Sequence, residues 1–294
     1  MMDEFDLPAL RPPTKTTGPF PLDGQDVSTL SRAQIKQALG KGATVYHNCS
    51  TRIARIHEDV IVKYGADVNI WEANNMKYVK EHTTIRLPKV IDAWEEIDDE
   101  QTICYIVMDY IEGELLSEIW SELTEETRYD INCQLSDFVH QLQSLKMDSP
   151  GPIGGGISNG AFFTDYGAGP FESKDAIEAY FNERLLVCQD FGIATTQPPF
   201  HGQFEHLVMC HMDLHIRNII LDDEGKIWLI DWTFAGMYPP YFEMAVLVRQ
   251  GWAQYFQDAL RLLKYEQYNE EIARLIAIGF AFTTGALCKP RGLN

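Results

Sequence analysis

The sequence predicts an α+β protein in which a smaller, strand-rich first half is followed by a larger, mostly helical second half. Segments with alternating or β-branched residues are concentrated before residue 65, whereas most patterns after residue 113 have the apolar spacing of helices. A chain of 294 residues that is 45% hydrophobic can build a core in each half. We therefore expect two lobes with a short connector near residues 109–113.

The order of the elements follows from these patterns. Strands are predicted over residues 44–47, 52–56, 60–64, 103–110, 207–210, 219–221 and 227–230. Helices are predicted over residues 30–39, 69–81, 116–123, 125–145, 175–191, 241–263 and 266–287. Residues 150–170 are rich in Gly and too long for a plain connector, and such loops are usually functional or mobile. Residues 1–24, rich in Pro and Gly, are expected to form an N-terminal arm.

The charge of the chain restricts its partners. The 43 acidic and 24 basic residues give a net charge of −19. Binding to nucleic acid or to an anionic membrane requires a dense Lys/Arg surface, so we expect neither partner. An acidic surface would tolerate or attract a cationic substrate, and the alternative is that the charge only keeps the protein soluble. Six cysteines without a Cys-x-x-Cys pair, and a start without a signal-peptide pattern, predict a reduced, cytoplasmic protein. The oligomeric state is left open.

The most informative residues are Asp213, Asn218 and Asp231. Asn218 follows Asp213 by 5 residues, and Asp231 follows Asn218 by 13. Phosphoryl transfer from ATP requires a carboxylate that orients the attacking hydroxyl and accepts its proton, together with oxygen ligands for Mg²⁺. We expect Asp213 to be this base, and Asn218 and Asp231 to be metal ligands at one end of the hairpin formed by 219–221 and 227–230. The alternative is a buried loop in which Asp213 and Asn218 only cap backbone groups.

A lysine on an otherwise apolar strand gives an independent indication. Lys63 lies within the segment 60–64, and Glu72 lies in the first turn of the next predicted helix. A lysine in such a strand either extends to solvent or contacts phosphate. We expect Lys63, paired with Glu72, to contact the α- and β-phosphates of ATP. The alternative is an ordinary solvated ion pair.

Several segments also resemble a known family, over roughly residues 40–290. They are His211-Met212-Asp213-Leu214-His215-Ile216-Arg217-Asn218, Ile230-Asp231-Trp232, Tyr64-Gly65, 106–113 and 236–243. These segments are similar to those of the aminoglycoside phosphotransferase and choline kinase superfamily, and most of all to its fungal members. The resemblance implies a bilobal protein-kinase-like fold. Its small β-rich N-lobe would be 25–110, with the nucleotide site, and its larger helical C-lobe would be 111–294, with the catalytic loop, metal site and acceptor site.

The resemblance also implies cofactors and individual roles. ATP and Mg²⁺ would be the cofactors, and the acceptor would be a hydroxyl of a small molecule such as an aminoglycoside, choline or another metabolite. His211 would brace the catalytic loop. The backbone of Asp109 and Ile111 would bind the adenine edge. Apolar side chains would surround the adenine ring, namely Ile61, Met108, Ile220 and Ile230.

The sequence departs from the family pattern at three places. Met212 and Ile216 stand where the family usually has Gly and Pro. The expected nucleotide loop, 48–51, contains no glycine, so we expect the hydroxyls of Ser50 or Thr51 to assist phosphate binding. Because the backbone of a loop without glycine approaches phosphate less closely, this loop is the feature of the sequence that most favours weak or altered binding of ATP.

The acceptor is expected in the helical half, facing Asp213. Its walls would be the segments 151–169 and 232–243. Charged, aromatic and imidazole side chains could bind a polar or cationic acceptor there, namely Asp165, Glu172, His215, Trp232, Tyr241 and Glu243. The alternative is that they are ordinary surface and core residues. A protein kinase is a less favoured alternative because no activation loop ending in Ala-Pro-Glu is present. A non-catalytic nucleotide-binding pseudokinase, or a partner-binding protein, is the other alternative.

Overall fold

The structure, a computed structural model, describes residues 17–48 and 50–291. Residues 1–16 of the predicted arm and Cys49 of the predicted nucleotide loop lie outside the described residues. The chain divides into two compact units, and the α+β class predicted from the sequence is confirmed. The first unit contains the chain up to Ala73 and residues 88–112, and the second contains 74–87 and the chain from Gly113 onward.

The first unit is an antiparallel five-stranded sheet with one helix before it. The strand order is β1-β2-β3-β5-β4. The strands are β1 (Ala43–Asn48), β2 (Thr51–His57), β3 (Val60–Gly65), β4 (Val90–Asp98) and β5 (Gln101–Asp109). Helix α1 (Arg32–Leu39) begins at Ser31, which forms a capping box with Gln34. The predicted strands of this unit are confirmed, and β4 was not predicted because the acidic residues Asp92, Glu95, Glu96 and Asp98 interrupt its Val, Ile and Trp residues.

One face of this sheet forms the core of the first unit. The apolar residues that pack there include Leu22, Val27, Ile35, Val60, Val62, Trp94, Tyr105 and Val107. Because side chains alternate along a strand, Ile61 and Lys63 lie on the opposite face from Val60 and Val62. Ile61 pairs with Met108 in β5, so these two side chains share that opposite face with Lys63.

The second unit is mostly helical. Helix α2 (Ile70–His82) spans the boundary between the units, which falls after Ala73. The helices that follow are α3 (Leu116–Ile119), α4 (Glu125–Ser144), α5 (Lys174–Asp190), α6 (Tyr241–Arg249), α7 (Gln257–Leu262) and α8 (Asn269–Ala277). The short strands are β6 (Glu114–Leu115), β7 (Val208–Cys210), β8 (Ile219–Leu221), β9 (Ile227–Leu229) and β10 (Gly236–Tyr238). In the described part of the chain, no helix has both the length and the apolar character that crossing a bilayer requires.

The prediction of two long helices near the end of the chain is wrong. The segment 241–263 is divided into α6, a 3-10 turn and α7, and the segment 266–287 contains only α8 and short 3-10 turns. Helix α6 ends at Arg249, and Gly251, two residues later, has a φ of 76°, the left-handed conformation that commonly terminates helices. Ile278 and Thr283 leave helical geometry after α8, with φ/ψ of −95°/13° and −122°/−100°. Buried apolar residues occur on both sides of these breaks, for example Leu247, Phe256, Leu275 and Phe282.

An aromatic core occupies the centre of the second unit. Phe181 of α5 packs against five aromatic rings from four parts of the sequence, namely Phe163, Phe200, Phe204, Phe242 and Phe282. Phe162 and Phe163 belong to the Gly-rich segment 150–170, and both are buried. That segment also pairs through Gly151 with Met237 of β10. We conclude that it is anchored in the core at both its start and its middle.

Asn75 in α2 joins two distant segments of the second unit. Its side chain is fully buried, donates to the carbonyl of Ala235 at 2.8 Å and accepts from the amide of Ile153 at 2.9 Å. The neighbouring Asn74 is only partly buried and makes one contact of 3.4 Å, to the carbonyl of Ile153. The two asparagines thus form a matched pair for a stability test.

We predict that Asn75→Ala lowers the free energy of unfolding by about 2 kcal/mol, because two buried backbone groups lose their partners. Asn74→Ala should change it by less than about 0.5 kcal/mol, because its lost hydrogen bond is long and partly solvated. Urea denaturation of both variants measures the difference. Equal effects of the two substitutions would contradict the assignment of Asn75 as a buried connector.

Candidate active site

The backbone of the segment 211–218, here called the 211–218 loop, is fixed by Glu243 at the start of α6. Glu243 is 2% exposed, and its two carboxylate oxygens accept from the amides of His211 at 2.5 Å and Met212 at 3.1 Å. Burial raises the pKa of Glu243 to about 7, although both amide hydrogen bonds oppose this shift. Met212 is fully buried with a φ of 67°, a left-handed conformation that is uncommon for residues other than Gly. The carboxylate therefore stabilises a strained turn immediately before Asp213.

His211 braces this turn from its other side. Its Nε2 donates to the carbonyl of Ile230 at 3.1 Å, and its Nδ1 accepts from the amide of Asp213 at 3.3 Å. Its ring meets Trp232 edge to face at 4.6 Å. Complete burial lowers the pKa of His211 to about 4, so the imidazole is neutral near pH 7. The geometry agrees with the bracing role that the resemblance implied.

Asp213 is a buried carboxylate with two donors. It is 4% exposed, and Arg217 Nη2 donates to both carboxylate oxygens at 2.9 Å. Asn218 Nδ2 donates to Oδ2 at 2.7 Å and to the carbonyl of Asp213 at 3.0 Å. Burial raises the pKa of Asp213 and the charge of Asp231 raises it further, whereas Arg217 and Asn218 oppose the shift. These contacts fix the direction of the carboxylate and maintain its ability to accept a proton.

The predicted hairpin after the loop is confirmed. Ile219 pairs with Leu229 in the β8–β9 ladder, and the amide of Ile230 donates to the carbonyl of Asn218 at 3.0 Å. Asn218 and Asp231 therefore stand at the same end of the hairpin. Asp231 is exposed, has a φ of 60°, and accepts from the hydroxyl of Thr233 at 2.7 Å. Their role as metal ligands stays a prediction.

Lys63 and Glu72 form a buried ion pair in the first unit. Their side chains are 9% and 2% exposed, and Lys63 Nζ donates to Glu72 Oε1 at 2.8 Å. A buried lysine needs such a partner, because an unpaired charge away from water is costly. The pair lies on the sheet face that also carries Ile61 and Met108, opposite the core of this unit. The structure thus excludes the alternative of an ordinary solvated pair.

The backbone of the connector after β5, which was expected to bind an adenine edge, already has two hydrogen bonds within the protein. The amide of Asp109 donates to the carbonyl of Lys89 at 3.1 Å, so only the carbonyl of Asp109 could serve an adenine edge. The amide of Tyr110 donates to the carbonyl of Asp59 at 2.8 Å, which fixes the chain just before Ile111. Ile220 and Ile230, which the resemblance assigns to the same slot, lie on the hairpin of the second unit and are partly buried.

The turn between β1 and β2 is held close to β3. Ser50 Oγ donates to the carboxylate of Asp67, so this hydroxyl already has a partner. A Cβ on Gly65 would come within 1.6 Å of the carbonyl oxygen of Ser50, so only glycine permits this close approach. Thr51 pairs with Gly65 in the ladder between β2 and β3. The turn itself lacks glycine, and the glycine that permits its packing lies on the facing strand.

A family model described as the phosphotransferase enzyme family matches residues 48–277. The chain belongs to this family. No curated protein matches the chain.

Solved structures share the fold of this phosphotransferase-family protein at low sequence identity. The GDP complex of wild-type aminoglycoside 2'-phosphotransferase-IIIa is 10% identical with a TM-score of 0.55, and 81% of each chain is covered. A thermostable mutant of aminoglycoside phosphotransferase APH(4)-Ia, in a ternary complex with AMP-PNP and hygromycin B, is 13% identical with a TM-score of 0.52. That match covers 81% of this chain and 85% of the other. Together they show the kinase-like fold implied by the sequence resemblance.

Three of the residues expected to bind the acceptor have structural contacts instead. Glu243 is bound to the 211–218 loop and cannot also bind a substrate. Trp232 is fully buried, and its Nε1 donates to the carbonyl of Leu229 at 3.2 Å. Tyr241 is 4% exposed and packs against Phe242. We correct these three predictions. Glu243, Trp232 and Tyr241 are buried residues that contact the protein itself, so they are not exposed to bind an acceptor.

The other expected acceptor residues differ in their surroundings. His215 is 7% exposed, and its Nδ1 accepts from the amide of Arg217 at 2.8 Å. Burial, followed by the charge of Arg217, lowers the pKa of His215 to about 3, so its ring is neutral. The ring lies 3.9 Å from Trp252. Asp165 and Glu172 are exposed, so their side chains remain available.

Sequence reasoning missed Arg217 and Asn75. Arg217 was within the motif, but the period and spacing arguments concerned only the carboxylates and the carboxamide. The signal that could have identified Arg217 is its spacing, because a basic residue four positions after Asp213 can pair with that carboxylate. Asn75 had no such signal, because its two partners are 78 and 160 residues away in the sequence.

The raised pKa of Glu243 predicts a characteristic pH dependence of stability. The carboxyl of the folded protein binds a proton below about pH 7, whereas in the unfolded chain it has its ordinary pKa of 4.5. Stability contributed by Glu243 therefore falls as the pH rises from about 4.5 to 7, by up to about 3 kcal/mol. Glu243→Gln should remove this dependence of the free energy of unfolding on pH. It should also lower the free energy of unfolding by a constant amount, because Gln has one acceptor oxygen and can accept from only one of the two backbone amides.

The measurement is urea denaturation of the wild type and Glu243→Gln at pH 5, 6 and 7. Glu271→Gln is the matched control, because Glu271 lies in the first turn of α8 and is partly exposed. The wild type minus Glu243→Gln difference should shrink as the pH rises. A difference that grows with pH, or stays constant, would contradict the raised pKa.

Proposed function

We propose that this protein transfers the γ-phosphoryl group of Mg²⁺-bound ATP to a hydroxyl group of a small molecule. The observation that carries the proposal is Asp213, a buried carboxylate held by Asn218 and Arg217 on a loop whose backbone is fixed by Glu243. A base of this kind must be oriented before it can accept a proton from a hydroxyl. An aspartate with only a structural role would not need the strained conformation of Met212, nor the separate contacts from Glu243, Arg217 and Asn218 that fix its position.

The donor set at the end of the β8–β9 hairpin fits Mg²⁺. Because Asn218 Nδ2 donates to Asp213, the amide oxygen of Asn218 is directed away from that carboxylate. Asp231 offers an exposed carboxylate at the same end of the hairpin. Carboxylate and carboxamide oxygens are the ligands that Mg²⁺ prefers, and it usually keeps several waters besides one or two protein ligands. When bound, Mg²⁺ would neutralise charge on the phosphate oxygens.

The remaining residues have complementary roles in this proposal. Lys63, oriented by Glu72, would contact the α- and β-phosphates, and Ile61 and Met108 would contact the adenine ring. Asp213 would hold the acceptor hydroxyl and accept its proton as the oxygen attacks phosphorus. The net charge of −19 favours an acceptor that carries positive charge. Two structures of this fold contain streptomycin with ATP, and hygromycin B with AMP-PNP, which supports a hydroxylated amine as the first class to test.

A non-catalytic role is the alternative, and one observation favours it. The glycine-free turn presents a serine hydroxyl that is already bound by Asp67, and this carboxylate would repel a phosphate group. A nucleotide-binding pseudokinase or a partner-binding protein would tolerate this arrangement. Steady-state transfer of phosphate from ATP or GTP to a panel of hydroxylated amines, with and without Mg²⁺, distinguishes the two functions.

We predict that Asp213→Asn lowers kcat by about 10³-fold, because a positioned general base contributes about 10²–10⁴-fold. The dissociation constant of Mg·ATP should change by less than about threefold, since Asp213 contacts the acceptor rather than the nucleotide. Asp223→Asn is the matched control, because Asp223 is exposed at the tip of the β8–β9 hairpin. Unchanged turnover of Asp213→Asn would remove this residue from the reaction.

Asp231→Asn should weaken the binding of Mg·ATP by about tenfold or more, because it removes the charged metal ligand. In the presence of EDTA the same variant should bind ATP as the wild type does. Isothermal titration calorimetry under both conditions measures the two affinities. An equal loss of affinity with and without Mg²⁺ would show that Asp231 acts on the fold and not on the metal.

A further inference from the structure

Arg217 is the cation closest to the proposed base in the described part of the second unit. A single nitrogen, Nη2, donates to both oxygens of Asp213 at 2.9 Å. The two side chains differ in accessibility, since Arg217 is 34% exposed and Asp213 is 5% exposed. The guanidinium thus reaches from the surface of the site to its buried carboxylate.

The contact with Asp213 uses only part of the hydrogen-bonding capacity of Arg217. A guanidinium has five N–H donors in one plane, and Nη2 carries two of them. Among the described residues, Asp213 is the only partner of this side chain, so Nε and Nη1 have no acceptor from the protein. The backbone of Arg217 is fixed, because its amide donates to His215 Nδ1 at 2.8 Å. A fixed arginine with unused donors beside a catalytic carboxylate is suited to an anionic ligand.

The position of Asp213 determines where such an anion would lie. A hydroxyl held by Asp213 would be about 2.6–3.2 Å from the carboxylate, and the phosphorus it attacks would be about 3–3.5 Å from that hydroxyl. The oxygens of the transferred phosphoryl group would then lie within one further bond length of that phosphorus. A guanidinium already in contact with the same carboxylate can reach those oxygens by rotation of its terminal bonds.

We propose that Arg217 is a catalytic residue that contacts the transferred phosphoryl group and stabilises its negative charge in the transition state. The proposal rests on the proposed phosphotransferase function. In the step, the acceptor oxygen forms a bond to the γ-phosphorus while its proton moves to Asp213. The bond between the γ-phosphorus and the β,γ-bridging oxygen breaks, and ADP leaves with the electron pair. Arg217 donates hydrogen bonds to the phosphoryl oxygens while Nη2 remains near Asp213.

The chemistry of arginine suits this task. Its planar fork matches the geometry of phosphate oxygens and carries a charge that is not lost at any physiological pH. Stabilising charge that develops only in the transition state raises kcat without tightening the binding of substrates. If Arg217 only neutralised Asp213, its substitution would change the stability of the folded protein. It would then change the affinities for ADP and for a transition-state analogue by the same factor.

The test compares the binding of Mg·ADP with that of Mg·ADP plus aluminium fluoride, an analogue of the transferred phosphoryl group. Calorimetry is performed on the wild type, Arg217→Gln, Arg217→Lys and the control Arg261→Gln. Arg261 also pairs with an aspartate, Asp258, but is an exposed residue of α7. Denaturation midpoints of all four proteins are measured in parallel, and Arg217→Lys provides a second variant if Arg217→Gln is poorly folded.

We expect Arg217→Gln to bind Mg·ADP within about threefold of the wild type and to lose at least about 100-fold in affinity for the fluoride complex. Arg217→Lys should lose less, because it keeps the charge but not the fork, and Arg261→Gln should lose nothing. Wild-type affinity of Arg217→Gln for the fluoride complex, or an equal loss for both ligands, would overturn the proposal alone. Failure of the wild type to bind Mg·ADP would overturn the proposed function and this inference together.

Discussion

The contact between the Glu243 carboxylate and two consecutive backbone amides is the interaction on which the rest of the site depends. Burying a carboxylate is costly, and the amides of His211 and Met212 offset that cost while being satisfied themselves. The same contact holds Met212 in a left-handed conformation that its side chain disfavours. The chain direction set at Met212 determines where Asp213 points, so the orientation of the Asp213 carboxylate depends on Glu243 in α6.

The electrostatic environment of Asp213 is a balance between opposing groups. Burial and the charge of Asp231 favour the protonated carboxyl, whereas Arg217 and Asn218 favour the carboxylate. The base that we propose must be ionised before the reaction and must accept a proton during it, and this balance would serve both needs. The first unit shows a related balance, because Lys63 is buried together with the carboxylate of Glu72 that neutralises it.

Local sequence patterns predicted much of the fold and of the candidate site. The predictions that were wrong have a common physical origin, because each depended on contacts between residues far apart in the sequence. The hairpin of β8 and β9 and the buried pair of Lys63 and Glu72 depend on short-range spacing, and both were predictable. The breaks at Gly251 and Ile278 were not, because apolar periodicity continues on each side of them. Glu243 was assigned to substrate because its residue type suits a cation, whereas burial, which decides its role, appears only after the chain has folded.

Amide hydrogen exchange in the wild-type protein tests the central claim most directly. Since the amides of His211 and Met212 are buried and donate to Glu243, their exchange should require a large opening of the second unit. We predict that these two amides exchange as slowly as the amides of the neighbouring β7–β10 pair. Exchange as rapid as that of the exposed hairpin residues 223–225 would contradict it, because the carboxylate would then not be holding the loop.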